Sequence, residues 1–98
     1  MARIIWAPHA MDDLRALIEY ISRDAPMAAR RFGQKLVARV DLLANHPLLG
    51  GWVSEDPRHR YRELRVGRYR VIYRVEGGMV FVVAIHHGAR LLDVESLE

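Results

Sequence analysis

The stretch that decides the fold is YRVIYRV, residues 69–75, because it alternates in the manner of a half-buried β-strand. Successive side chains of a strand point to opposite faces of the sheet. The tyrosines and valines at positions 69, 71, 73 and 75 therefore share one face, and Arg70, Ile72 and Arg74 share the other. The first is the better core face, so we expect Arg70 and Arg74 to point outward.

Two further strand-like segments flank this strand and predict a three-stranded antiparallel meander. Tyr61–Val66 precedes it across Gly67-Arg68. Met79–His87 follows it across Glu76-Gly77-Gly78. Links of two or three residues that contain glycine are typical of β-hairpins. The third segment is apolar at every position up to Ile85, which favours a strand covered on both faces.

The N-terminal half predicts one short strand and two amphipathic helices. Arg3–Trp6 is β-branched and aromatic, as strands often are. The first helix should run from about Pro8 to Ser22, and the second from Pro26 to near Asn45. Their apolar stripes, which have helical spacing, are Ala10, Leu14, Leu17, Ile18 and Ile21, then Ala29, Phe32, Leu36, Val40 and Leu43.

These elements predict an α+β fold of order β-α-α-β-β-β, with a helical hairpin packed on an antiparallel sheet. A chain of 98 residues with 51% apolar composition suits one domain over residues 1–98. It has no cysteine, which excludes a disulfide framework and fits a reducing compartment. No apolar run approaches the ~20 residues that span a bilayer, and no signal peptide is apparent. We therefore expect a cytoplasmic protein without a membrane partner.

Residues 47–60 form a long segment with no periodicity, rich in proline and glycine. A loop of this length in a compact domain is usually functional or mobile. Trp52 within it is either an anchor that pins the loop to the core or an exposed contact. We favour the anchor.

Arginines crowd the stretch from residue 58 to residue 74, within which only Glu63 opposes them. They are Arg58, Arg60, Arg62, Arg65, Arg68, Arg70 and Arg74. The planar guanidinium pairs with carboxylates or phosphates through two hydrogen bonds and stacks on aromatic rings. The cluster therefore indicates an acidic partner. The alternative is that these charges simply keep one face of the sheet soluble.

The order of these elements, together with the turn and loop residues that separate them, resembles that of the ParE/RelE superfamily of toxins from bacterial type II toxin–antitoxin modules. Matching segments span nearly the whole chain, and their order and spacing carry the resemblance. They are DLRALIEYI at 13–21, DAPMAARRF at 24–32, HPLLG at 46–50, REL at 62–64, YRVIYRV at 69–75 and HHGAR at 86–90.

The resemblance implies a growth-arresting toxin that a cognate antitoxin holds inactive. RelE-like members cut messenger RNA in the ribosome, whereas ParE-like members trap DNA gyrase with broken DNA. Arg70 and Arg90 align with the phosphate-binding arginines of the superfamily. The paired lysines of RelE-like members fall near Tyr61 and Glu63 here, and Ser96 or its neighbours stand where a C-terminal tyrosine is expected. These departures argue against a RelE-type nuclease.

Metal-free RNA cleavage needs groups that accept and donate protons beside the cations. His86 and His87 could exchange protons near neutral pH. Adjacent strand residues point to opposite faces, so only one of them could join the arginine face. The alternative is that one histidine packs under the sheet edge while the other is solvated. For a nuclease, the catalytic candidates are Arg70, Arg90 and His87.

The sequence therefore favours a ParE-like toxin that binds DNA gyrase, with ribosome-dependent cleavage of messenger RNA as the alternative. A small nucleic-acid-binding module is a third class, for which no recognition helix or stacking platform is apparent. The histidines are scattered, so neither a metal nor a cofactor is predicted. We expect the antitoxin to lay an apolar stripe on the helical hairpin and to place acidic residues on the arginines. The arginines expected to contact antitoxin or target are Arg62, Arg68, Arg70, Arg74 and Arg90.

Overall fold

The computed structural model describes residues 1–98, and its elements follow the predicted order with one addition. The helices are α1 (Pro8–Ser22) and α2 (Pro26–Asp41), and the strands are β1 (Arg3–Trp6), β2 (Gly51–Trp52), β3 (Arg62–Val66), β4 (Tyr69–Glu76) and β5 (Met79–His87). Short 3-10 turns follow at Leu42–Ala44 and Val94–Ser96. The added element is β2, which lies in the segment predicted to be a loop. No helix is long and apolar enough to cross a membrane.

The five strands form one sheet in the order β1-β5-β4-β3-β2. The predicted meander of β3, β4 and β5 is confirmed, and each neighbouring pair in it is antiparallel. The sheet is nevertheless mixed, because β1 lies parallel to β5, with Arg3 opposite Met79. The long connection that parallel strands require runs here from β1 through the helical hairpin and through β2, β3 and β4 to β5.

Proline marks the beginning of both helices, as predicted. Pro8 and Pro26 occupy the first turn, where the missing N–H has no helical partner to lose. The second helix ends at Asp41, and the 3-10 turn carries the chain on to Ala44, close to the predicted end. The backbone N–H of Ala2 donates to the carbonyl of Ala44, which fixes this turn beside β1.

The helical hairpin packs on the predicted face of β4. The buried residues of this core include Leu17, Leu36, Val40, Val71, Tyr73, Val80 and Val82. Tyr73 is completely buried. Its hydroxyl donates to the carbonyl of Pro47 and accepts from the N–H of Gly50, both at 2.8 Å. This core therefore joins the sheet, the helices and the start of the loop.

The opposite face of the sheet is also covered, as the continuous apolar run of β5 indicated, although the covering segments were not predicted. A second core there is formed by Val53, Tyr61, Ile72, Val83, Ala84, Leu92, Val94 and Leu97. Val53 comes from the loop before β3, and the last three residues come from the C-terminal tail. Arg70 lies under this layer and is only 3% exposed. The prediction that Arg70 points outward to solvent is therefore wrong, because the loop and tail close over that face.

Trp52 is not the anchor that we predicted. Its side chain is 46% exposed on the edge strand β2. Val53, the next residue, is 1% exposed and takes the anchoring position instead. Adjacent strand residues alternate between faces, so the burial of Val53 sends Trp52 to the opposite side.

Candidate functional site

Two carboxylates hold the guanidinium of Arg70 on the face away from the helices. Its Nη1 and Nη2 donate to Glu55 at 2.9 and 2.7 Å, and its Nε and Nη2 donate to Glu63 at 3.0 and 2.8 Å. Four of its N–H bonds are thus directed at carboxylate oxygens. Glu55 also accepts the backbone N–H of Leu92 at 3.0 Å, which fastens the tail to this pair.

These contacts change the proton affinities of the pair. Hydrogen bonds from Arg70 hold the pKa of Glu55 at about 2, although burial acts in the opposite direction. Hydrogen bonds to Glu55 and Glu63 raise the pKa of Arg70. Arg70 is therefore a cation whose positive charge is already neutralised inside the protein.

Asp56 organises the end of the loop before β3. Its carboxylate is buried, and it accepts the N–H of Arg60 at 2.7 Å and the N–H of Arg58 at 3.3 Å. The Arg60 guanidinium donates to Asp56 and, at 2.9 Å, to Glu95 of the tail. Burial raises the pKa of Asp56, but the hydrogen bonds from Arg60 outweigh it, so the net shift is downward.

Arg74 is also paired with the tail. Its Nε donates to the Glu98 carboxylate at 3.0 Å, its Nη1 donates to Glu76, and its Cζ lies 4.2 Å from the ring centroid of Phe81. The hydroxyl of Tyr61 donates to Glu98 at 2.7 Å. Burial and this carboxylate raise the pKa of Tyr61 to about 12.

Four arginines of the cluster pair with carboxylates: Arg60, Arg65, Arg70 and Arg74. Glu63 is the one such carboxylate inside the stretch; the others, which were not predicted as partners, are Glu55, Asp56, Glu76, Glu95 and Glu98. The acidic residues that recur in the loop and tail could have indicated partners for the arginines. Nothing in the sequence, however, indicates where these acids lie against the strands. Of the seven arginines of the cluster and Arg90, four make no ion pair with a carboxylate: Arg58, Arg62, Arg68 and Arg90.

Arg62 instead builds a surface with Trp52. Its Nη1 donates to the carbonyl of Gly50 at 2.8 Å, and its Cζ lies 3.9 Å from the Trp52 ring centroid. The His59 ring stacks on the same indole with centroids 4.8 Å apart. Leu48, 63% exposed, borders the same small cleft of about 220 Å3. We call the surface of Leu48, Trp52, His59 and Arg62 the Trp52 platform.

A second cationic surface lies on the helix side of the sheet, and we call it the Arg90 cleft. It is an open depression of about 440 Å3 lined by Tyr20, Arg68, Tyr69, His87 and Arg90. The structure thus brings together His87 and Arg90 but separates them from Arg70, which lies on the other face. His86 shares the Arg70 face, where its Nε2 lies 3.1 Å from the Arg90 carbonyl.

The hydrogen bonds of His87 limit its chemistry. The backbone N–H of Ala89 donates to its Nδ1 at 3.1 Å, so in this arrangement Nδ1 carries no proton. A neutral imidazole then carries its proton on Nε2, which can donate a hydrogen bond but cannot accept a proton. His87 is suited to binding an anion. It is not placed to act as a general base.

The outer side of the helical hairpin carries an apolar groove. It has a volume of about 500 Å3, and we call it the hairpin groove. Its apolar lining residues are Leu14, Ile18, Ala29, Val37 and Ala38, and Gly33 also lines it. A Cβ added at Gly33 would lie 2.9 Å from Cδ1 of Ile18, so the two helices approach closely there. A neighbouring hollow of about 310 Å3 shares Leu14 and Val37 and extends to Trp6. No group of three or more histidine, aspartate or glutamate side chains is arranged to hold a metal ion.

Comparison with protein families gives a match over residues 4–92 to the family described as "ParE toxin of type II toxin-antitoxin system, parDE". Toxin RelE2 of Caulobacter vibrioides is 35% identical over 91 residues, which cover 93% of this chain and 100% of the relative. Toxin RelE3 of the same organism is 31% identical over 87 residues, which cover 89% of this chain and 95% of the relative.

A solved structure shares the fold as well. A chain of the "Chromosomal ParDE TA system from P. aeruginosa" superposes with a TM-score of 0.74 and 26% sequence identity. The match covers 89% of this chain and 96% of that chain. The family match over residues 4–92 extends from β1 through β5.

Proposed function

Since this chain belongs to the ParE/RelE family of toxins from type II toxin–antitoxin systems, we propose that it arrests growth by binding DNA gyrase. Gyrase is the target that the resemblance to ParE-like toxins implies. Inhibition would come from protein–protein contact, and a cognate antitoxin would relieve it. The arginine cluster would serve docking and structure, and would not form a catalytic centre.

The pairing of Arg70 with Glu55 and Glu63 is the observation that supports this proposal most directly. A nuclease of the RelE type would need this arginine to stabilise charge on a phosphate. Here its guanidinium is buried, and four of its N–H bonds are directed at carboxylates. The imidazole of His87 does not replace the missing base, because Ala89 occupies its Nδ1.

The hairpin groove supports the antitoxin half of the proposal. Its apolar lining fits the apolar face of an amphipathic antitoxin segment. Arg30 borders the groove, and Arg68 has no carboxylate partner, so these two could receive the segment's acidic residues. Exposed ion pairs contribute about 0–1 kcal/mol each, so affinity would come chiefly from apolar burial.

The gyrase assignment is tested by incubating the purified toxin with gyrase and supercoiled or relaxed plasmid. We expect inhibition of supercoiling and accumulation of cleaved DNA complexes, both reversed by the cognate antitoxin. The absence of both effects at toxin concentrations well above that of gyrase would refute the assignment.

A second candidate, ribosome-dependent cleavage of messenger RNA, is favoured by the Arg90 cleft. Arg68 and Arg90 there are cations without carboxylate partners, and Nε2–H of His87 could donate to a phosphate oxygen. This function predicts cuts at fixed codon positions in a translating extract. The cuts should be lost in Arg90→Ala and kept in Arg31→Ala, a substitution of an exposed arginine on α2 outside the cleft.

A further inference from the structure

We propose that the Trp52 platform is the surface by which the toxin holds its protein target. Its occupant is an acidic segment of that target which also carries a large apolar side chain. This inference rests on the proposed function, because it takes the target to be a protein, but it names a surface that the function alone does not specify.

Exposed apolar side chains lie close to Trp52 in the sequence and in its cleft. Trp52 is 46% exposed, and Leu48 and Leu49 of the preceding loop are 63% and 52% exposed. Val75, at the end of β4, borders the same cleft. Contiguous exposed apolar patches mark interaction sites in proteins of this size. Tryptophan and arginine are also the residues that most often dominate binding energy at interfaces.

The free charge of Arg62 favours an acidic occupant for the platform. Arg60 and Arg74 also line the cleft, but both are already paired with carboxylates, so Arg62 is the arginine of this cleft without one. The guanidinium of Arg62 donates to backbone carbonyls and stacks on the indole, so its charge is not neutralised by a carboxylate. An incoming carboxylate could pair with Arg62 while an apolar neighbour packs on Trp52.

The platform is held in place before any partner binds. His59 has a φ of 54°, in the left-handed region that residues other than glycine seldom adopt. The N–H of His59 donates to the Asp56 carbonyl at 3.1 Å, and its ring lies on Trp52. Backbone strain of this kind tends to occur at functional sites, and a preformed surface loses less entropy on binding.

The Trp52 platform and the hairpin groove have no lining residue in common. Substitutions on the platform should therefore affect target binding while leaving antitoxin binding intact. This difference provides an internal control for folding, since the antitoxin recognises only the folded hairpin.

The test compares Trp52→Ala and Leu48→Asp with Leu91→Asp, a control at a leucine that is 89% exposed and lies outside the platform. Each variant is titrated against gyrase in the supercoiling assay, expressed for growth arrest, and titrated with the antitoxin. We expect both platform variants to need at least tenfold more toxin for half-inhibition and to lose growth arrest. Their antitoxin affinity, and all properties of the control, should stay within twofold of the wild-type values.

If the wild type inhibits gyrase and both platform variants inhibit it equally well, the platform proposal is overturned. Loss of antitoxin binding in Leu48→Asp would also overturn it, because the surface would then serve the fold or the antitoxin. If the wild type does not inhibit gyrase, the gyrase assignment fails. The growth-arrest assay then tests by itself whether the platform binds the target. Arrest lost in both variants supports the platform, and arrest retained in both refutes it.

A nucleic-acid occupant would give a different result. Trp52→Ala would then weaken the binding of a fluorescent single-stranded DNA or RNA oligonucleotide, with a steep salt dependence, while gyrase inhibition stayed unchanged. That outcome would overturn the protein-binding proposal.

Discussion

Nη2 of Arg70 lies 2.7 Å from Oε1 of Glu55, so strand β4 is tied to the loop before β3 beneath the C-terminal tail. Glu55 in turn accepts the N–H of Leu92. One ion pair therefore joins three segments that are far apart in the sequence.

Replacement of Arg70 by alanine should destabilise the fold strongly. Glu55 and Glu63 would remain largely buried without their cation, and breaking a buried pair typically costs about 3–5 kcal/mol. The free energy of unfolding in urea measures this loss. Arg65→Ala is the matched control, because Arg65 approaches the same Glu63 from the surface, at 3.5 Å with 65% exposure. It should change stability by less than about 1 kcal/mol.

Stability should fall in acid because of Glu55. Its folded pKa is about 2, and its usual value is 4.5. A lowered folded pKa adds stability above the unfolded pKa, and this stability is lost as the pH falls from about 5 towards 2. Unfolding free energies measured across that range should decline, and Glu55→Gln should show a shallower decline. An identical slope in wild type and variant would contradict this role of Glu55.

The hydroxyl of Tyr73 should matter for stability because it makes two buried hydrogen bonds to the start of the loop. Tyr73→Phe leaves the N–H of Gly50 without its acceptor in a buried position, which should cost about 1–3 kcal/mol. Thermal or urea unfolding measures the cost. Tyr20→Phe, at a tyrosine that is 66% exposed, should change stability by less than about 0.5 kcal/mol.

A charge placed in the hairpin groove should weaken antitoxin binding. Val37→Glu would bury a carboxylate against the apolar segment that we propose there, and we expect at least a tenfold loss of affinity by calorimetry. Met27→Glu is the control on the same helix, at a residue that is 67% exposed and outside the groove. Equal affinities for the two variants would place the antitoxin elsewhere.

Local signals were enough to predict most of the fold. The alternation in residues 69–75 identified the face that packs on the helices, and Pro8 and Pro26 identified where the helices begin. The contacts that were missed join residues distant in the sequence, such as Arg3 beside Met79 and Glu55 beside Arg70. No periodicity or turn residue specifies such pairings.

The candidate site was predicted less well, for a related reason. Arg70 and Arg74 were correctly assigned to the face opposite the helices, but the loop and tail that cover Arg70 have no regular pattern. The exposure of Trp52 followed from the burial of its neighbour Val53, and nothing in the loop's composition distinguished the two residues. His87 and Arg90 lie together only because the chain turns between them at Gly88.

The parallel pairing of β1 with β5 also affects when the toxin can form during its synthesis. Arg3 must wait for Met79 to be translated before the first strand has its partner. At about 5–20 residues per second this interval is roughly 4 to 15 s. The sheet, and every surface that depends on it, therefore assembles only after β5 has been translated, and a nascent chain that stops before β5 has no complete toxin fold.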